Sequence, residues 1–146
     1  MTWAYGKNSL ENRDTCHPKL IKVIDYGLHL SPVDIAIIYG WRGELTQNGM
    51  FRSGVSQKQW PDSMHNNVIE GVGPQSLAFD FGPYVKGVAI PWEDTHMFAL
   101  VAGIFFAAAE DQGTTLRWGG DWDMDGLTTD QDFMDWGHLE LVGESA

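Results

Sequence analysis

Two imidazoles and a carboxylate, widely separated in the chain, have the character of a metal site: His65, Asp80 and His138. The last lies in Asp132-Phe133-Met134-Asp135-Trp136-Gly137-His138-Leu139-Glu140-Leu141. This stretch reads as a short helical turn ending at Trp136-Gly137, followed by a strand. Side chains alternate along a strand, so His138, Glu140 and Val142 share one face and Leu139 and Leu141 the other. Asp135 then stands beside the imidazole across a tight corner. A metal-bound water between them would have a ligand on one side and a base on the other. Taken alone, the same residues also fit a His and an Asp that cap a helix and open an edge strand.

A second stretch shifts the balance toward chemistry. Ser63-Met64-His65 is followed by Ser76-Leu77-Ala78-Phe79-Asp80-Phe81. Leu77, Phe79 and Phe81 fall on one strand face, with Ala78 and Asp80 on the other. A lone carboxylate on an apolar strand is costly without a partner. His65, Asp80 and His138 together make a catalytic-type zinc set, with three protein ligands and the fourth position left for water. Asp135 becomes the spare carboxylate that takes the water's proton. The hydroxyl of Ser63 either meets a substrate carboxylate, braces His65 or simply caps a turn.

An acidic run adds a second metal pattern. In Asp121-Trp122-Asp123-Met124-Asp125-Gly126-Leu127-Thr128-Thr129-Asp130-Gln131-Asp132, carboxylates occupy the first, third and fifth places, Gly the sixth and an acid the twelfth. That is the spacing of an EF-hand calcium loop, with Asp121, Asp123, Asp125 and Asp132 as ligands. Asp132 replaces the usual bidentate Glu, and the flanks are not a helix pair. An acidic, solvated turn is the competing description. Calcium bound here would brace the segment carrying Asp135 and His138.

The elements that must position these residues are legible in outline. Ser9 looks like a helix cap, and Pro18 suits a first helical turn. Leu20, Ile21, Ile24 and Leu28 recur at helical spacing. Residues 34–39 read as a central strand, 50–59 as a loop over the site, and 85–90 as another short strand. A long helix runs from 91–94 to about Asp111, with Met97, Leu100, Val101, Ile104, Phe105 and Ala108 buried. Residues 114–118 read as a strand. Helices come early and in the middle with short strands between, which gives an α+β fold. Two or three helices pack on a small, mainly antiparallel sheet that bears the zinc site.

Composition sets limits. With 146 residues and 43% apolar content, residues 1–146 form one domain with a real core. The net charge of -11 argues against a nucleic-acid partner. No apolar run is long enough for a bilayer, and the start has no signal-peptide pattern, so a cytoplasmic origin is expected. The single Cys16 excludes an internal disulfide, and Cys16-His17 has no second pair to complete a metal site.

Ser-x-His at 63–65, Ala-x-Asp at 78–80 and a closing His-x-Glu at 138–140 resemble the D-Ala-D-Ala peptidase and hedgehog-like zinc peptidases. Within that group the sequence is most similar to phage endolysins that cut the L-alanyl-D-glutamate bond of peptidoglycan. Supporting residues are Ser9-Leu10, His17-Pro18-Lys19-Leu20, Gly40-Trp41-Arg42, Gln47, Pro91-Trp92-Glu93-Asp94 and Arg117-Trp118-Gly119-Gly120-Asp121-Trp122. The gap 66–75 is longer than the family usually has. The resemblance implies that Arg42 steadies the developing oxyanion and that Gln47 helps bind substrate. It implies a single zinc peptidase domain without a wall-binding module, acting on the peptide stem after release through the membrane, and a monomer. A D-Ala-D-Ala carboxypeptidase or dipeptidase of the same fold is the nearest alternative. A non-catalytic metal-binding module is the alternative from another class.

Overall fold

The computed structural model describes residues 2–143. Met1 and residues 144–146, the ends of the 1–146 domain expected from the sequence, lie outside the described residues. The elements are α1 (Lys7–Asp14), α2 (Pro18–Leu30), β1 (Ile35–Tyr39), α3 (Glu44–Arg52), a 3-10 turn (Met64–Asn66), β2 (Val68–Ile69), β3 (Gly73–Pro74), β4 (Ala78–Pro83), α4 (Thr95–Asp111), β5 (Leu116–Trp118) and β6 (His138–Leu141). The main sheet has strand order β1-β4-β6-β5, and each neighbouring pair is antiparallel. The fold is therefore α+β, as the sequence implies, with one helix more than expected.

The core lies on one face of this sheet. Ile37, Phe79, Phe81, Leu139 and Leu141 are buried against Leu20, Val23, Ile24, Val101 and Phe105 from α2 and α4. The Phe105 ring meets Phe79 at 5.0 Å and Phe81 at 5.3 Å, both near edge-to-face. Each such buried ring contributes on the order of 1.5–3 kcal/mol by leaving water. A Cβ on Gly27 would lie 2.5 Å from the Phe105 ring, so only glycine lets α2 approach α4 this closely. Among the described residues, no helix is long and apolar enough to cross a membrane.

Several local expectations are corrected. Ser9 is not a cap: Gly6 holds that place, and Ser9 sits buried inside α1, its hydroxyl accepting the Ile37 N–H at 3.0 Å. The register between β1 and β4 shifts between Ile37 and Tyr39. Asn12 donates its amide to the carbonyls of Ile37 (2.8 Å) and Ile38 (3.0 Å), so the carbonyls at this irregularity keep partners. Residues 44–52 form α3, which takes in the first three residues of the expected loop 50–59 and leaves 53–59 irregular. Residues 85–90 make a tight turn closed by a Val85–Ala89 bridge rather than a sheet strand. Residues 132–136 contain no helical turn. The buried stripe of α4 is Phe98, Val101, Ala102, Phe105, Ala108 and Ala109; Leu100 is exposed. His17 caps α2, accepting the Lys19 N–H at 3.1 Å, with Pro18 in the first turn.

Candidate active site

Sheet register assembles the site. Asp80 on β4 pairs with His138 on β6, and Arg117 on β5 pairs with Glu140. Alternation sends Phe79, Leu139 and Trp118 toward the core and leaves Asp80, His138, Glu140 and Arg117 on the opposite face. His65 arrives from the 3-10 turn. Ser63 caps that turn, its Oγ accepting the His65 N–H at 3.2 Å, while its own N–H donates to Asn66 Oδ1 at 3.0 Å. The Leu77 N–H donates to Met64 O at 3.0 Å and ties the turn to the entry of β4.

The three side chains converge closely. His65 Nε2, His138 Nδ1 and Asp80 Oδ1 lie 3.2 Å from one another on each side of the triangle. They are near enough for one metal ion to touch all three. The outward nitrogens are also engaged. His65 Nδ1 donates to the Gly40 carbonyl (2.7 Å), and His138 Nε2 donates to Glu140 Oε1 (2.8 Å). Those bonds hold a proton on each ring's outward nitrogen, so the inward nitrogen is the one that would meet a metal, the usual support of a metal-bound His. Glu140 thus has a definite task that alternation alone did not assign. Its other oxygen accepts from Arg117 Nη2 at 2.6 Å.

Electrostatics sharpen the picture. Burial drives the His65 pKa down despite Asp80, keeping the ring neutral. Burial opposes ionisation of Asp80, yet His65, His138 and Arg42 hold it well below the usual carboxylate range. For His138, burial is outweighed by Asp80 and Glu140, which push it up to about 9. Burial, and then the charge of Asp80, push Asp135 up to about 6.

Asp135 is held by its backbone. Its N–H donates to Gly119 O at 2.9 Å and its carbonyl accepts the His138 N–H at 3.2 Å. It lines the same cavity as His65, Asp80 and His138, which has a volume of about 1070 Å³. Arg42 is buried beside the triad, with Nη2 paired to Asp80 Oδ2 and the guanidinium 4.8 Å from the Tyr39 ring. Gln47 is fully enclosed and does not line the cavity. Its Oε1 accepts from Arg42 Nη1 (3.4 Å) and Asn66 Nδ2 (3.2 Å), and its Nε2 donates to Lys58 O (2.7 Å). Ser63 does reach the cavity wall.

The acidic loop gathers three of its four expected ligands. Oxygens of Asp121, Asp123 and Asp125 lie within 4.8 Å of one another, and Asp132 is outside that group. Asp130 takes the place beside Asp125, and their hydrogen bond pushes Asp130 up to about 6. Asp121 accepts the N–H groups of Asp125 (3.2 Å) and Gly126 (2.9 Å), and Gly126 turns the chain at φ 87°. The loop abuts the site through Trp122, whose ring lies 5.3 Å from that of His138. Trp122 Nε1 donates to Phe133 O at 2.9 Å, and Gln131 bridges to Gly120 O at 2.8 Å. These aromatic and amide ties were not anticipated from the acidic spacing, which says nothing of the side chains between the carboxylates.

Comparison with known proteins agrees with this architecture. Residues 1–142 match the family model for phage L-alanyl-D-glutamate peptidase. The chain is 34% identical over 145 residues to the L-alanyl-D-glutamate peptidase of Escherichia phage T5, covering 97% of this chain and 100% of that protein. It is also similar to the crystal structure of the Serratia marcescens L-Ala D-Glu endopeptidase ChiX. There the TM-score is 0.73 and the identity 27%, over 95% of this chain and 90% of that one. The order of His65, Asp80 and His138 along the chain, their convergence on one sheet face and these likenesses agree: the chain belongs to the phage L-alanyl-D-glutamate peptidase family.

Proposed function

We propose that the protein is a zinc-dependent peptidoglycan endopeptidase that hydrolyses the L-alanyl-D-glutamate bond of the stem peptide as a phage lysis enzyme. The observation that carries the reading is the 3.2 Å triangle of two imidazole nitrogens and one carboxylate oxygen, with Asp135 in the same cavity. Donors about 2.0–2.1 Å from a tetrahedral zinc stand roughly 3.3–3.4 Å apart, so the triangle is the size of one tetrahedral face. Bound zinc would act as a Lewis acid on the scissile carbonyl and acidify a water.

The chain's own residues carry the rest. The Asp135 carboxylate takes a proton from the attacking water and returns it to the departing nitrogen of D-glutamate as the C–N bond breaks. Its upward shift to about 6 suits a group that must both accept and donate near neutral pH. Arg42 offsets negative charge growing on the alanyl carbonyl oxygen, a role worth roughly 3 kcal/mol of barrier. Gln47 positions Arg42 rather than touching substrate, and Ser63 braces the His65 backbone. Calcium in the loop of Asp121, Asp123 and Asp125 would rigidify the segment reaching His138 through Trp122. The catalytic domain meets the wall after release through the host membrane.

Mass analysis of purified muropeptides after digestion tests the reading. A new N-terminal D-glutamate on the released peptide is expected, and strong chelation should abolish it. Release of free D-alanine instead would move the protein to the carboxypeptidase class.

A further inference from the structure

We propose that Arg117 is a specificity residue that binds the free carboxylate of D-glutamate on the leaving side of the scissile bond. The inference rests on the L-alanyl-D-glutamate reading of the same site. Glutamate has two carboxyl groups, and the stem continues through only one. The other therefore stays close to the scissile nitrogen. A cavity that already presents Asp80, Asp135 and Glu140 repels that anion unless a cation receives it.

Three cationic side chains line the cavity: Arg42, Lys58 and Arg117. The Arg42 side chain is 6% exposed and is paired with Asp80. Lys58 is exposed on an irregular segment, and its carbonyl, not its ammonium, is what Gln47 grips. Arg117 differs from Lys58 in being tethered and from Arg42 in its exposure, since Arg42 Nε is likewise enclosed without a partner. Its side chain is 40% exposed, and it is fixed at one end by the bond from Nη2 to Glu140. Among the described residues nothing accepts from Nη1, and Nε is enclosed without a partner. A guanidinium anchored through one nitrogen and incompletely bonded elsewhere is suited to recognising a carboxylate.

Its position agrees. Arg117 stands on β5, the sheet edge opposite β1, while Arg42 follows β1. The two guanidinium groups flank the triad, one bonded to Asp80 and the other to the Glu140 that holds His138. A peptide crossing the triad would place the developing oxyanion toward Arg42 and the next residue, about 3.5 Å further along, toward Arg117. The Arg117–Glu140–His138 chain comprises two hydrogen bonds of 2.6 and 2.8 Å, so the cation lies one layer from a ligand.

Two synthetic stem peptides, identical except that the free D-glutamate carboxylate is a primary amide in one, provide the test with the zinc-loaded enzyme. The wild type should favour the acid over the amide by about tenfold to hundredfold in kcat/KM, mostly through KM, the scale of one charge-assisted hydrogen-bond pair. Arg117→Gln should bring that ratio close to one, and Arg117→Lys should retain part of it. Wild-type cleavage of both peptides at rates within threefold would overturn the proposal whether or not a variant folds. So would Arg117→Gln slowing both substrates alike with the ratio intact, since that is what a mere brace for Glu140 would do. A wild type that cleaves neither peptide would overturn the endopeptidase reading itself.

Discussion

Gly119→Ala is the sharpest probe of how Asp135, the proposed base, is held. A Cβ on Gly119 would stand 2.2 Å from the Asp135 carbonyl oxygen and 2.8 Å from the Asp135 Cβ. Heavy atoms in ordinary contact sit at about 3.5 Å, so the backbone of Asp135 would have to retreat by about 1 Å. It is not free to do so. The Asp135 N–H donates to Gly119 O at 2.9 Å and the Gly119 N–H donates to His138 O at 2.9 Å. Overpacking costs about 1–3 kcal/mol and each weakened hydrogen bond about 1 kcal/mol, giving roughly 2–4 kcal/mol together. In a chain of this size, that lowers Tm by about 5–15 °C. A displacement near 1 Å at the proposed base also predicts about a hundredfold loss of kcat/KM. Urea melts and stem-peptide hydrolysis should be measured on the same metal-loaded preparation. An alanine variant within 0.5 kcal/mol of wild type (about the scatter of a neutral surface change) and within threefold in rate would refute the clamp.

Gly103→Ala is the complementary change: nothing lies within 4 Å of its Cβ on α4, so it should stabilise the protein by about 0.5–1 kcal/mol in the same melts. Glu140→Ala removes the acceptor of His138 Nε2 and should weaken zinc binding about tenfold to hundredfold in a chelator competition. Burial pushes the Cys16 thiol up to about 12, so it should resist thiol reagents at pH 8 until the protein unfolds. By the same shift the unfolded thiol ionises first, so folding stability should fall as pH rises from about 8.5 toward 12, and Cys16→Ala should flatten that decline. Asp125→Ala should abolish any rise in Tm on adding millimolar calcium while zinc content stays at one per chain; a rise that persists would place the calcium elsewhere.

What could be read in the sequence was whatever period and residue chemistry determine together. Asp80 stood out because strand alternation put a carboxylate on a strand otherwise apolar, and His138 because the same alternation separated it from Leu139 and Leu141. The register that sets Asp80 opposite His138 is a property of the sheet, and no local signal carries it. Helix α3 escaped notice because Asn48 and Gly49 are poor helix formers, and its support comes from Gln47, buried under Lys58 and Asn66. The stripe on α4 shifted because nearly every residue from Met97 to Ala109 is apolar, so periodicity could not select the buried face. The segment before His138 resembles a helical turn in composition, but the Asp135 N–H is claimed by the Gly119 carbonyl, and the Trp136 and Phe133 carbonyls by the Trp118 and Trp122 indoles, so tertiary partners decide its path.

Strand β6 lies inside the sheet between β4 and β5, yet it is made after both. While the ribosome is still short of His138, β4 has an open edge where β6 will pair, and the triad site has only two of its three donors, His65 and Asp80. Two donors cannot form the three-ligand set, and Phe79 and Phe81 lack the Leu139 side of their packing. An interrupted translation product therefore has neither a closed sheet nor a hydrolytic centre. Synthesis of the last strand completes both at once, so a wall-cutting activity is born whole or not at all.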